Sequence, residues 1–369
     1  MKADISRRRF LATGVAMGAA CGGLFSEGLS ESRLAKKPRR RGVSLSGAEF
    51  GVRPDFSNRN LGQFGKDYTY NSEKTVAYFA RQGVKHLRVP FRWERMQPSL
   101  GGELDATELG RLREFVGWAR KHDCRVILDP HNYGRYALEI DGKAKDCVID
   151  ESVEGHVRVT RDHFADFWLR LSAVFADEPA VEAYGLVNEP HDMGSSDWKA
   201  ISQAAVDAIR SRGDGKWIFV PGESWSNSDR FREINGPKAW VRDPLGRTGY
   251  EAHCYFDHDY SGRYEKSYDE ELKRDPELEQ RGAKRIGQFV EWCQTNKVRG
   301  LLGEFGVPPD PRWLQVLRNF LQALDRAGLL GCYWAAGEWW GRYPLSIQPE
   351  GADKGQPQLE VLVAERDGH

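Results

Sequence analysis

Two glutamates stand out for their surroundings. Glu189 follows the apolar run 183–187 and Asn188, Glu304 follows the run 301–303, and neither has a Lys or Arg beside it in the chain. A carboxylate that ends an apolar run can be a buried cap or a salt-bridge partner. Two that face each other across an opening can divide the work of acid/base and nucleophile. In a retaining glycosidase such carboxyls stand ~5–5.5 Å apart, whereas an inverting pair needs ~6.5–9.5 Å to admit water. Spacing in the chain does not supply that distance. Other chemistry-bearing residues also stand where apolar runs stop: Arg88 before Pro90, then Asp129, His131, Asn132 and Tyr133, then His253 with Tyr255, and Trp334. A metal set of Asp129, His131, His191 and Asp192 is the rival reading. Barrel metallohydrolases usually begin from H-x-H on their first strand, and none is present, so no catalytic metal is expected.

The elements that must position these residues alternate. Short apolar runs lie at Gly42–Phe50, Lys85–Pro90, Arg125–Pro130, Val181–Asn188, Lys216–Pro221, Thr248–Tyr255, Arg299–Glu304 and Gly331–Ala335. Between them, helical periodicity covers Ser72–Gln82, Asp105–His122, Thr160–Phe175, Trp198–Ser211, Glu279–Thr295 and Pro311–Ala327. Eight βα units predict an α/β fold, a closed (β/α)8 TIM barrel in one catalytic domain over residues 41–369. An open doubly wound sheet is the alternative, because no long helix follows the Lys216 run; against it, no G-x-G-x-x-G follows the first strand. Barrel enzymes carry their chemistry at the carboxyl ends of the strands. Polar residues after six different strands at one end fit that rule, where chance would scatter them.

The 369 residues carry 54 basic and 54 acidic side chains, so no nucleic-acid footprint is expected. The 40% hydrophobic content supplies a core, and a mean hydropathy of −0.62 with no long apolar run predicts no membrane span. Twelve Trp favour a cleft lined with flat rings. Residues 1–40 read as a twin-arginine signal peptide and basic linker, from Arg7-Arg8-Arg9-Phe10-Leu11 and the Ala/Gly-rich stretch that follows. Export to the periplasm or the exterior is therefore expected. Cleavage near Ser26 leaves the remainder close to neutral; Cys21 imitates a lipid-attachment site, but Gly18 stands where Leu is expected. The five later cysteines, three of them in apolar runs, read as buried thiols rather than a disulfide framework.

The chain resembles the glycoside hydrolase family 5 cellulases from about Gly42 to Trp340. The resemblance rests on S-G-A-E-F-G at 46–51, L-R-V-P-F at 87–91, D-P-H-N-Y-G-R-Y at 129–136, N-E-P at 188–190, H-C-Y at 253–255, G-E-F-G at 303–306 and W-A-A-G-E-W-W-G at 334–341. It implies a retaining endo-β-1,4-glucanase with Glu189 as general acid/base and Glu304 as nucleophile, working without a cofactor on a polysaccharide partner. It further implies that Arg88 and Tyr255 hold the nucleophile, Asn188 meets the sugar 2-hydroxyl, His131 and His253 position hydroxyls or the acid, and Trp334 floors the cleavage point. Trp225, Trp339 and Trp340 are flat rings suited to stacking on sugars. Tyr133, Tyr136 and Arg135 are candidates for the cleft wall, with a loop staple as the rival reading of Arg135. Trp93 and Trp198 are expected to pack.

Two places depart from the family pattern: the pair Ser44 and Leu45 replaces a polar Asn-Glu pair, and Glu338 replaces an apolar residue or Pro, which puts subsite preference in question. The charged stretch Phe256–Glu279 has no readable role. A monomer is expected. β-Mannan or another β-glucan would use the same machinery. A non-catalytic carbohydrate-binding barrel is the reading from another class, and it would be free to lose one carboxylate.

Overall fold

A computed structural model describes residues 40–351 and 354–364. The signal, the lipidation motif and the basic linker up to residue 39 lie outside them, and so does the chain beyond 364.

Eight parallel strands close on themselves: β1 (Arg41–Leu45), β2 (His86–Phe91), β3 (Arg125–Pro130), β4 (Val181–Gly185), β5 (Trp217–Pro221), β6 (Thr248–His253), β7 (Arg299–Glu304) and β8 (Leu330–Ala336). The hydrogen-bonded order runs β1-β8-β7-β6-β5-β4-β3-β2 and back to β1. The expected α/β barrel is the observed fold, and the open sheet is excluded by the β1–β8 pairing. Six long helices cover it: α1 (Glu73–Arg81), α2 (Ala106–Lys121), α3 (Arg161–Phe175), α4 (Trp198–Arg210), α5 (Arg281–Asn296) and α6 (Pro311–Ala327). After β5 only the short turns Glu223–Ser226 and Phe231–Asn235 stand in place of a long helix.

Helix ends follow side-chain capping. Asp105 accepts from Glu108 N at 2.7 Å, Thr160 and His163 form a reciprocal capping box, and Gly328 ends α6 in the left-handed region. On α6 the buried stripe Trp313, Val316, Leu317, Phe320, Leu324 recurs at three and four residues, the face laid on the barrel.

The strands sort their side chains by parity. On β2, Leu87, Val89 and Phe91 enter the helix-side core and leave Arg88 inside the barrel; on β6, Tyr250 and Ala252 point outward, leaving Glu251 and His253. Lower in the interior Ile127, Ala183, Phe219, Leu301, Leu330 and Cys332 form a buried apolar layer. Arg88, Glu251 and Glu304 sit above that layer, towards the carboxyl ends, whereas His86 and Glu182 pair at the amino ends of β2 and β4.

Several runs overran their strands. The first ends at Leu45 because Gly47 has φ +148° and a Cβ there would lie 2.6 Å from Thr69 O, so the chain turns. β4 ends at Gly185 and β6 at His253, two or three residues before the predicted stops. Trp93 and Trp198 are fully buried, as expected, and the five described cysteines are buried thiols.

Candidate active site

At the carboxyl end of β7, strict alternation would turn Glu304 away from the interior. A register irregularity prevents this: Ala252 pairs with Leu302 but His253 pairs with Glu304, so Gly303 is passed over. The bulge brings the Glu304 carboxylate to the barrel mouth. There Arg88 Nη1 donates to Oε1 at 3.1 Å and Tyr255 OH donates to Oε2 at 2.7 Å. Both oxygens of this buried carboxylate thus face donors, one of them cationic.

Glu189 arrives by a different route. Beyond β4 the chain leaves the sheet, Asn188 N donates to Pro130 O at 2.9 Å, and Glu189 takes φ +43°. For a glutamate this conformation is strained and is kept only where its surroundings demand it. Its Oε1 lies 2.6 Å from His253 Nδ1, and its carboxyl remains partly open to the cleft. One oxygen of Glu189 and one of Glu304 lie within 4.8 Å of each other.

A buried network joins them. Arg88 also reaches Asp129 Oδ2 at 3.0 Å, Glu251 Oε1 at 3.1 Å and Asn188 Oδ1 at 2.7 Å. Asn188 Nδ2 lies 3.2 Å from His131 Nε2, and His131 Nδ1 lies 2.9 Å from Asp129. Burial alone would raise the Asp129 carboxyl, yet the Arg88 guanidinium and the His131 ring hold it below its ordinary range. Burial disfavours charge on His253, but the carboxylates of Glu304, Glu189 and Glu251 outweigh it and push its pKa up to about 10. Burial and the Glu304 charge push the Tyr255 hydroxyl well above its ordinary value, so it stays a donor.

The aromatic residues surround this core. Trp334 lies against His131 with ring centres 5.3 Å apart and planes 15° apart. Tyr133, at φ +56°, meets His131 edge-on at 5.2 Å and His191 at 5.7 Å. His191 in turn stacks on Trp225 at 4.4 Å and 11°. Trp225 is about half exposed, at 49%, inside the run Ser224–Ser226 whose three residues all have positive φ. All ten expected site residues are therefore linked by contact, with Trp225 outermost. Trp340 is pinned between Phe50 and Tyr343, and Trp339 is exposed.

One expectation needs correction, and two open positions are decided. Tyr136 does not line the cleft: it is fully buried and its OH donates to Gln97 O and Pro98 O. Arg135 is a staple, donating to His191 O and pairing with Asp146. Glu338, which departs from the family pattern, is a latch: its Oε1 accepts from Ser72 N at 2.9 Å, Ser72 Oγ at 2.5 Å and Thr75 Oγ1 at 2.7 Å, at the start of α1. Within Phe256–Glu279, Tyr264 OH donates to Gly306 O and Glu271 pairs with Arg281 at 2.7 Å, tying the rim to β7 and α5.

Two buried acids were missed by sequence reasoning. Glu251 shares the parity of His253 two residues on, which was the available signal. Glu49, inside the S-G-A-E-F-G phrase, accepts from Gly47 N at 2.7 Å, and burial pushes its carboxyl up against the opposing field of His131.

Paired acids at the mouth of a (β/α)8 barrel, one clamped by a guanidinium and a phenol, define a glycoside hydrolase. The cellulase model, glycosyl hydrolase family 5, matches residues 43–338, and the chain belongs to that family. A probable endo-beta-1,4-glucanase B of Aspergillus oryzae is 29% identical over 345 residues, 90% of this chain and 93% of the relative. Endoglucanase 1 of Robillarda sp. is 32% identical over 81% of this chain and 78% of its own length. Among solved structures, Pseudomonas stutzeri endoglucanase Cel5A in complex with cellobiose superposes with a TM-score of 0.76 at 35% identity, over 88% of this chain and 91% of that one.

Proposed function

We propose that this protein is an endo-β-1,4-glucanase that cleaves internal glucosidic bonds with retention of configuration. The observation that carries this reading is the approach of the Glu189 and Glu304 oxygens to within 4.8 Å, near the ~5–5.5 Å of a retaining pair and short of the ~6.5–9.5 Å that an inverting water needs. The endoglucanase names of the relatives, and a neighbour solved with cellobiose, support β-1,4-glucan as the substrate.

Glu304 is the nucleophile. Its two donors fix the carboxylate and favour its charge, as attack on the anomeric carbon requires. Glu189 is the acid/base: it gives its proton to the glycosidic oxygen as the C–O bond breaks and Glu304 forms the glycosyl ester. It then takes a proton from the water that cleaves that ester, restoring both groups. Asn188, held by Arg88 through Oδ1, offers Nδ2 to the sugar 2-hydroxyl, and Trp334 lies beneath the ring at the cleavage point. Export by the twin-arginine route, to the periplasm or the exterior, is part of the same proposal and suits a polymer that cannot enter the cell. Among the described residues no helix is long and apolar enough to cross a membrane.

The test compares reducing-sugar release from carboxymethylcellulose, β-mannan and lichenan, with the anomer formed first from cellopentaose read by proton NMR. Preference for the cellulose derivative and a β product are expected. Preference for mannan overturns the substrate, and an α product overturns retention.

A further inference from the structure

Glu251 takes no part in that chemistry, yet it joins the two reacting acids. Its side chain is 1% exposed, and the same oxygen, Oε1, lies 3.1 Å from Arg88 Nη2 and 3.1 Å from His253 Nε2. Arg88 is the cation on Glu304, and His253 is the ring on Glu189. Neighbouring strands leave room for this contact. A Cβ at Gly303 would stand 1.9 Å from Glu251 Oε1 and 2.7 Å from His253 Nε2, and one at Gly185 would stand 3.2 Å from Glu251 Oε2. Burying a third carboxylate beside two others is costly unless cations share it, and here two do.

We propose that Glu251 is a positioning residue for both reacting carboxylates, holding Arg88 against Glu304 on one side and His253 against Glu189 on the other. The inference rests on the catalytic reading of Glu189 and Glu304. His253 is faced by Glu251 from its own strand, by Glu304 from β7 and by Glu189 from beyond β4, with the charge of Asp129 of β3 within its reach; Tyr255 bonds Glu304, and Arg88 of β2 shares the Glu251 oxygen. Each ring nitrogen meets a carboxylate oxygen, so the ring holds both protons and donates at both ends, in line with a pKa raised to about 10. Without a negative charge at 251 the second proton of the ring is held less firmly, and without the side chain the proton on Nε2 loses its partner and the ring is free to turn from Glu189.

The test uses Glu251→Gln, Glu251→Ala and Gly303→Ala, each checked by thermal unfolding, after the wild type has been shown to hydrolyse an aryl β-cellobioside. Failure of the wild type there strikes the proposed function, whereas the NMR readout below needs no turnover. Glu251→Ala is expected to lower kcat about 100-fold with KM within about twofold, the pattern of lost alignment rather than lost binding. Gly303→Ala, which displaces Glu251 and His253 by contact, is expected to do the same. The ring 15N resonances of His253 should show two protons up to about pH 9 in the wild type and lose one at lower pH in Glu251→Gln, which keeps the side-chain volume but not the charge. A Glu251→Ala kcat within about twofold of wild type, or an unchanged His253 titration in Glu251→Gln, overturns the proposal. If Glu251→Ala does not fold, the Glu251→Gln titration decides alone.

Discussion

Arg88 and Glu304 are 216 positions apart in the chain and meet at 3.1 Å inside the barrel. The pair is a clamp rather than a simple salt bridge, because the same guanidinium also holds Asp129, Glu251 and Asn188. Removing Glu304 therefore leaves Arg88 with buried partners, and the fold should survive. Glu304→Ala is expected to lower turnover at least about 10⁴-fold, since a nucleophile has no substitute, while cellotetraose binding by calorimetry stays near wild type. Retained turnover would remove Glu304 from the nucleophile role.

Glu189 differs in what it must supply. An acid is needed most when the leaving group is poor, so Glu189→Ala should cut cellotetraose hydrolysis far more than release of dinitrophenol from an activated cellobioside. A plot of log kcat/KM against leaving-group pKa should steepen in the variant. Equal losses on both substrates would assign Glu189 a positioning role.

Much of this site could be read from the sequence because a barrel strand makes its mouth legible. Asn188, Glu189, His253 and Glu304 each follow or close an apolar run, and the barrel gathers such positions at one end, whereas Arg88 stands in mid-strand, two residues before the end of β2's pairing at Pro90–Phe91. What could not be read was the depth of the network. Glu251 looks like a lone charge between Tyr250 and Ala252, and only closure of the barrel, which brings β6 and β2 together inside it, shows that its oxygen meets Arg88 as well as His253. The role of Glu338 was hidden for a related reason, since its partners Ser72 and Thr75 lie over 260 positions away. The Gly303 bulge, which turns Glu304 inward, has no local signature beyond the glycine itself.

The Glu338 latch yields a separate prediction. It caps α1 from another part of the chain, satisfying the first backbone N–H, so Glu338→Ala should cost about 0.5–2 kcal/mol of stability, the range of a lost helix cap. Its carboxyl touches none of the reacting groups, and kcat on an aryl cellobioside should remain within about twofold of wild type. Denaturant unfolding measured beside the assay separates the two effects.

His253 sets a pH dependence of stability. Its pKa in the folded protein is raised to about 10, above the ~6.5 of an exposed ring. The folded state therefore binds this proton more tightly. The stabilisation is complete below pH ~6.5 and is lost as pH rises towards about 10. The wild type should lose unfolding free energy across that window, and His253→Asn should show a shallower slope. Parallel slopes for the two proteins would mean that the proton is not held there.

Trp225 makes the last prediction, because its position relative to Glu189 gives it a direction. Its backbone N–H donates to Pro190 O at 3.2 Å, and its ring stacks on His191, so it is fixed to the loop that carries Glu189. The acid stands on the leaving-group side of the scissile bond, and a ring attached to that loop must serve the same side. A half-exposed indole can cover an apolar sugar face there. Trp225→Ala should then raise KM for cellopentaose several-fold, and should also reduce transfer of the glycosyl group to added cellobiose. An aryl cellobioside, whose leaving group is too small to reach that ring, should be cleaved at near wild-type kcat/KM. A loss confined to the aryl substrate would place Trp225 on the opposite side of the cleavage point.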